Sequence, residues 1–220
     1  MLFHICHQND QLNKMLQERG YSREAKDLQV QALNARKRVL GVEHPDTIRA
    51  TVDLARTYAD LGNYNEAEKL EKQVLDARNK ILGVEHPDTI MAMANLARTC
   101  ADLGHYSEAE KLEKQVLDAT NRILGIEHPH TILAMANLAT IYGNLGNFTE
   151  AENLQKVVLD GRNRQLGGEH PDTISAMESL AATYANQRNY TEAEKFKIQV
   201  LNARNKHLAV EDSTSDNILE

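Results

Sequence analysis

The sequence lacks several features on which common classes of protein depend. It has no tryptophan, 5% aromatic residues and two cysteines among its 220 residues. Two cysteines, Cys6 and Cys100, do not make a disulfide framework, which favours a reducing, cytoplasmic setting. No apolar run approaches the ~20 residues that a membrane helix needs, and we recognise no targeting signal at the start.

A long basic stretch is also missing from the chain. The formal net charge is −7, with acidic and basic residues interleaved throughout. Nucleic acid requires a basic face, and a membrane surface requires a basic amphipathic stretch. We therefore expect neither a nucleic-acid partner nor a membrane partner.

The motifs that carry catalysis are absent as well. No Gly-x-Gly-x-x-Gly or Gly-Lys-Ser/Thr loop is present, and no nucleophile has an associated base. Cys100 falls at a packing position, where a small buried residue is expected. The sequence predicts a protein that is not an enzyme and has no cofactor.

Proline and glycine, although few, are placed periodically. The four prolines, Pro45, Pro87, Pro129 and Pro171, follow one another at a step of 42. Residues 41–82 and 83–124 are identical at 33 of 42 positions. Breakers at a fixed step separate regular elements, so the chain is a repeat protein.

Each repeat predicts two helices. The first (helix A) opens at His44-Pro45-Asp46, since proline is favoured at the first helical position. Gly62 allows a turn, the second (helix B) starts near Asn65, and Gly83 is predicted to take the left-handed cap position. One such pair cannot bury its own apolar stripe, but stacked pairs can. We predict an all-α, right-handed superhelical solenoid of antiparallel helix pairs; HEAT repeats compete on period alone.

The period also sets the expected boundaries. All segments are expected to form one solenoid domain, with a polar tail that is disordered or a short cap. The expected segments are a degenerate first helix pair (1–40), four repeats (41–82, 83–124, 125–166 and 167–208) and the tail (209–220).

The packing positions carry a family resemblance. Leu54-Ala55, Tyr58, Gly62, Tyr64 and Ala67 resemble the small and large positions of tetratricopeptide repeats. The 42-residue period, with its Leu-Gly-x-Glu-His-Pro-Asp-Thr linker, resembles kinesin light chain and its relatives. The resemblance implies a protein-binding scaffold in which helix A lines the concave face. A kinesin-binding heptad segment is absent, so motor association is not implied.

The repeated Glu-His pairs resemble metal ligands when taken singly. Equivalent positions in a solenoid lie about one helix spacing apart, ~8–10 Å, whereas zinc ligands converge within about 2.0–2.3 Å. We therefore predict that these histidines cap or pack helix starts and that the chain binds no metal. The pairs are Glu43-His44, Glu85-His86, Glu127-His128 and Glu169-His170.

Differences between near-identical repeats indicate where a partner binds. They cluster in helix A, while the helix B run from Glu66 to Ala77 is unchanged in the next repeat. Neutral drift at exposed positions is the alternative explanation for this clustering. The resemblance implies that in related repeats an asparagine at the position of Asn95 hydrogen-bonds the backbone of a bound peptide. The predicted groove residues are Arg49, Asp53, Arg56, Asn95, Arg98, Asn137, Thr140 and Ser179.

These observations favour a scaffold that binds an extended peptide or partner protein on helix A. The arginines favour acidic ligands, although Asp53 and other aspartates partly neutralise them. The alternatives are a self-assembling structural repeat and a sensor segment of a larger multidomain regulator. Weak self-association through the C-terminal repeat is also expected, because no further helix covers its apolar stripe of Phe196, Val200, Leu201 and Leu208.

Overall fold

The computed structural model describes residues 22–216, with side chains for residues 25–206. Every regular element in this part is a helix, as the periodicity predicts. The expectations for the start of the first helix pair, for Leu208 and for residues 217–220 lie outside the described residues or side chains. The helices are α1 (Ser22–Val39), α2 (Pro45–Asp60), α3 (Tyr64–Leu82), α4 (Pro87–Asp102), α5 (Tyr106–Leu124), α6 (Pro129–Asn144), α7 (Phe148–Leu166), α8 (Pro171–Asn186) and α9 (Tyr190–Asp216).

The chain divides into two compact units, Met1–Leu112 (unit 1) and Glu113–Glu220 (unit 2), with the division inside α5. In unit 1, α2 packs against α1 and α3, and α3 packs against α4. In unit 2, α6, α7, α8 and α9 pack in the same sequential manner. Contacts between sequence neighbours are typical of a solenoid. The expectation of a single domain stays a prediction.

The start of each helix A is built as its sequence predicts. Nδ1 of His44 accepts a hydrogen bond from the backbone N–H of Asp46 at 3.1 Å, and Pro45 is the first helical residue. The same cap recurs at His86, His128 and His170. The prediction that these histidines cap helices is therefore confirmed.

The end of helix B differs from the prediction in one torsion angle. Gly83 has φ 86° and ψ 165°, and Gly167 has φ 86° and ψ 163°. The positive φ was expected, but the extended ψ places these glycines outside the left-handed helical region. Only glycine readily combines a positive φ with an extended ψ, because the Cβ of any other residue clashes with its own backbone there. The linker needs that conformation to leave helix B in an extended direction.

The core is assembled from successive helix pairs. In unit 1, Ile48 of α2, Val74 of α3 and Ala92 of α4 form one buried cluster. In unit 2, Ile132 and Val158 form an equivalent cluster with Ala176 of α8. Each cluster takes a side chain from the next helix A, so one helix pair alone leaves its stripe exposed.

The last helix continues beyond the fourth repeat. Helix α9 reaches Asp216, so residues 209–216 of the predicted polar tail are helical. They prolong helix B and do not form a further helix A.

Candidate functional site

The predicted groove residues lie on the first helices of four successive repeats. We call this surface the helix A face and describe it separately in each unit. Unit 1 contributes Arg49, Asp53 and Arg56 from α2 and Asn95 and Arg98 from α4; unit 2 contributes Asn137 and Thr140 from α6 and Ser179 from α8. The two asparagines are half-buried and the other residues are exposed.

Unit 1 brings three of these residues together. Arg56, Asn95 and Arg98 line one pocket with Glu71 and Arg78 of α3. The enclosed volume is about 20 Å³, which is sufficient for one water molecule. Successive helices A and the helix B between them therefore build a polar pocket.

The electrostatics of this pocket depend on Glu71. Its side chain is 7% exposed, and within the described residues its Oε2 has no hydrogen-bond partner. Burial raises the pKa of Glu71, while the nearby Thr99 hydroxyl and the Arg98 charge oppose that rise. Arg78 already donates to the backbone oxygen of Asp88 at 2.7 Å. Arg56, Arg78 and Arg98 line this pocket together with one carboxyl group, and the Asp102 and Glu68 charges also act on Glu71.

Arg49 is not a lining residue of this pocket. Its guanidinium donates to the carboxylate of Asp46 at 2.7 Å, one turn earlier in α2. Pairing along the helix was the alternative explanation for the charges on this face. Arg49 forms such a pair within α2.

Unit 2 has uncharged groups at the corresponding positions. The Thr140 hydroxyl donates to the backbone oxygen of Ala136, and the Ser179 hydroxyl donates to that of Ser175, each at 3.0 Å. Asn137 donates from Nδ2 to Oε1 of Glu113 at 3.2 Å. Only Asn137 thus reaches beyond its own helix.

A buried polar position in helix B was not predicted from the sequence. Gln29, Glu71, Glu113 and Gln155 follow one another at the 42-residue step, and all four are buried. The visible indication was a polar residue at a constant position next to the apolar stripe. Its neighbours in space belong to the next helix A, which only the packing shows.

Grooves between successive helices B were not predicted either. A groove of about 360 Å³ in unit 1 lies between α1 and α3, with Ile48 among its lining residues. Three repeats later, a groove of about 490 Å³ in unit 2 is lined by Gly168, Met177 and Ala203. Gly168 stands where the other linkers have valine or isoleucine.

Cys100 and the linker histidines were the sequence candidates for catalytic and metal chemistry. Cys100 is fully buried, and burial raises the pKa of its thiol to about 11. A catalytic thiol needs the opposite shift. Within residues 25–206, no three potential metal-ligating side chains group together, although the rings of His128 and His130 lie 5.3 Å apart.

Among the described helices, none is long and apolar enough to cross a membrane.

Comparison with known proteins agrees with the geometry. The family model for the tetratricopeptide repeat matches residues 14–80, 61–122 and 131–206. A search of curated proteins found no match.

Solved structures give closer comparisons. A putative kinesin light chain from Podosopora anserina, with nearly identical tetratricopeptide-like repeats, is 30% identical, with 91% of this chain and 95% of that chain covered and a TM-score of 0.80. Its Q17M form is 29% identical, covering 92% and 96%, with a TM-score of 0.82. BtubC from P. vanneervenii is 21% identical over 93% of this chain and 82% of that chain, with a TM-score of 0.78, and supports the fold alone.

Proposed function

Because this chain belongs to the tetratricopeptide repeat family, we propose that it is a protein-interaction scaffold whose helix A face binds an extended segment of a partner. Repeats of this family generally mediate interactions between proteins. The same proposal includes a cytoplasmic setting, where a buried free thiol such as Cys100 stays reduced.

The convergence of Arg56, Asn95 and Arg98 on one pocket supports the proposal most directly. Two exposed guanidinium groups at its edge provide planar donors that match a carboxylate. The Asn95 amide provides both a donor and an acceptor, which is what a peptide backbone requires. The ligand of unit 1 is accordingly a segment that carries acidic side chains.

The ligand requirements of unit 2 differ. Thr140 and Ser179 are small, neutral and hydrogen-bonded to their own helices. Asn137 is the amide that a peptide backbone would meet there. A segment bound at this unit needs no acidic side chain, and backbone contacts provide its recognition.

A peptide selection tests the proposal and does not require an identified partner. Short random peptides are displayed and selected on the intact chain, and an enriched peptide is synthesised and titrated. We expect enrichment in Asp and Glu. We also expect the Arg56→Ala/Arg98→Ala variant to bind about ten-fold or more weakly, because losing partners of charged groups costs about 1.5–3 kcal/mol each.

The matched control is Lys69→Ala on helix B. Lys69 is exposed and pairs with Glu66 one turn away at 2.7 Å, as Arg49 pairs with Asp46 on helix A. The control is expected to bind like the unmodified chain. If Lys69→Ala weakens binding while the arginine variant does not, the helix A face is not the binding surface.

Self-association is a second candidate function, favoured by the exposed end of unit 2. Leu201 is 58% exposed and Tyr190 is 67% exposed, whereas the equivalent residues Leu159 and Phe148 are half-buried in α7. Ile198 stands where the three preceding repeats have lysine. The exposed apolar stripe of α9 is smaller than the sequence predicted, because Val200 is buried and Phe196 is half-buried within the last repeat itself.

A dilution series tests this second candidate. Light scattering on the intact chain is expected to show a mass that rises with concentration. Leu201→Lys is expected to suppress that rise, because it places a charge on the apolar face. A constant monomer mass for the unmodified chain at high concentration would exclude association through this end.

A further inference from the structure

A carboxyl group beneath the helix A face of unit 2 contacts one of its amides. Glu113, on α5, is 1% exposed. Its Oε1 accepts the hydrogen bond from Nδ2 of Asn137 at 3.2 Å. The amide that would meet a ligand backbone in unit 2 therefore already has an internal partner.

The equivalent pair in unit 1 is arranged differently. Within the described residues, no hydrogen bond joins Asn95 to Glu71. The Thr99 hydroxyl and the Arg98 charge oppose the rise of the Glu71 pKa, whereas the Asp102 and Glu68 charges add to it. Glu71 therefore has other groups that favour its ionised form.

Two substitutions remove those groups from unit 2. The position of Thr99 is occupied by Ile141, which has no polar group, and the position of Arg98 by Thr140. The Thr140 hydroxyl donates to the backbone of its own helix. The Asn137 amide is accordingly the side chain that hydrogen-bonds to Glu113 in the described part of unit 2.

The charged groups around Glu113 do not hold it ionised. Burial raises the pKa of Glu113 to about 7, and among the described residues the Asn137 hydrogen bond opposes that rise. On α5, the Lys114 ammonium lies over the ring of Tyr142 from α6, 5.6 Å from the ring centre. On α6, Asn144 stands where unit 1 has Asp102.

We propose that Glu113 is a positioning residue that decides whether the Asn137 amide is available to a ligand. The inference rests on the proposed function of the helix A face. Ionised Glu113 accepts a charge-assisted hydrogen bond, which is roughly twice as strong as a neutral one, and holds the amide inward. Protonated Glu113 holds it weakly, so the amide can turn to a ligand backbone. Recognition by unit 2 then strengthens as the pH falls through about 7.

Side-chain amide resonances of the ligand-free, intact chain test the inference directly. Asn137→Ser assigns the signal by its disappearance. Between pH 5.5 and 8.5, the Asn137 amide protons are expected to shift with a midpoint near 7. Glu113→Gln is expected to remove this titration and to fold normally, because Gln155 occupies the same repeat position and is buried there. The matched variant Glu71→Gln is expected to leave it unchanged.

A flat Asn137 signal in the unmodified chain, or a titration that persists in Glu113→Gln, would overturn the inference. Either result leaves the proposed binding face intact, because no ligand is present in this experiment. Failure of the peptide selection, in turn, does not alter the titration. The two proposals therefore fail independently.

Discussion

Replacing Glu113 by glutamine is expected to stabilise the protein at high pH and to have little effect at low pH. Burial raises the pKa of Glu113 from 4.5 to about 7 in the folded chain. A raised carboxyl pKa means that the folded state binds the proton more tightly than the unfolded state. Stability from this group is present below pH 4.5 and is lost as the pH rises towards 7.

The magnitude follows from the size of that shift. One pKa unit corresponds to roughly 1.4 kcal/mol, so ionised Glu113 costs about 3 kcal/mol of unfolding free energy above pH 7. Gln155, at the equivalent position, shows that a neutral amide fits the same packing. Glu113→Gln should therefore be more stable than the unmodified chain by about 3 kcal/mol at pH 8 and nearly equal to it at pH 4.5.

Urea unfolding followed by circular dichroism, at several pH values, measures this difference. The comparison between the two proteins matters, because other groups titrate in both. Glu68 and Glu152, for example, have pKa values lowered mainly by hydrogen bonds from Lys72 and Lys156. Their contribution to the unfolding free energy is lost in both proteins as the pH falls. A difference between Glu113→Gln and the unmodified chain that stays constant from pH 5 to 8 would refute the reasoning.

Three further predictions concern single positions and metal. Arg188 has φ 62° where three other repeats have glycine. Arg188→Gly is therefore expected to raise the unfolding free energy by about 0.5–1 kcal/mol, measured by urea unfolding. Gly146→Ala, at the equivalent turn, is expected to lower it. Asn137→Ala is expected to lower the unfolding free energy by about 1–3 kcal/mol, because Glu113 loses its hydrogen-bond partner. Asn95→Ala should change the unfolding free energy little. Equal effects of the two variants in parallel thermal melts would contradict the Asn137–Glu113 hydrogen bond. A chelator is expected to leave the thermal midpoint of the untreated protein unchanged, and a large drop together with stoichiometric zinc would contradict the absence of a structural metal.

The helix boundaries were predictable because their determinants are local. Proline acts at the first helical position. The histidine cap accepts a hydrogen bond from the backbone N–H two residues later, so both determinants act within one turn. Pro45 therefore begins α2 wherever the rest of the chain lies. The ψ of Gly83 was harder to predict from the sequence. A positive φ is compatible with both a helical and an extended ψ, and the direction of the linker selects the extended one.

The candidate site was only partly predictable. The helical period alone places Arg56 near Asn95 and Arg98, since equivalent positions of stacked helices are neighbours. It does not predict that Glu71 lies among them, because that contact depends on how helix B approaches the next helix A. Arg49 lies on the same face, and its pair with Asp46 one turn earlier was not predicted for this residue in particular.

The sequence by itself determined the repeat, its two helices and the family, because a 42-residue period, proline and glycine positions and apolar spacing are properties of the chain read in order. Only the tertiary structure decided the ionic state of the helix A face. The pKa of Glu113 depends on its removal from water and on the single amide that reaches it. Burial and partner distance arise between side chains 24 residues apart on different helices, and no local pattern in the sequence specifies them.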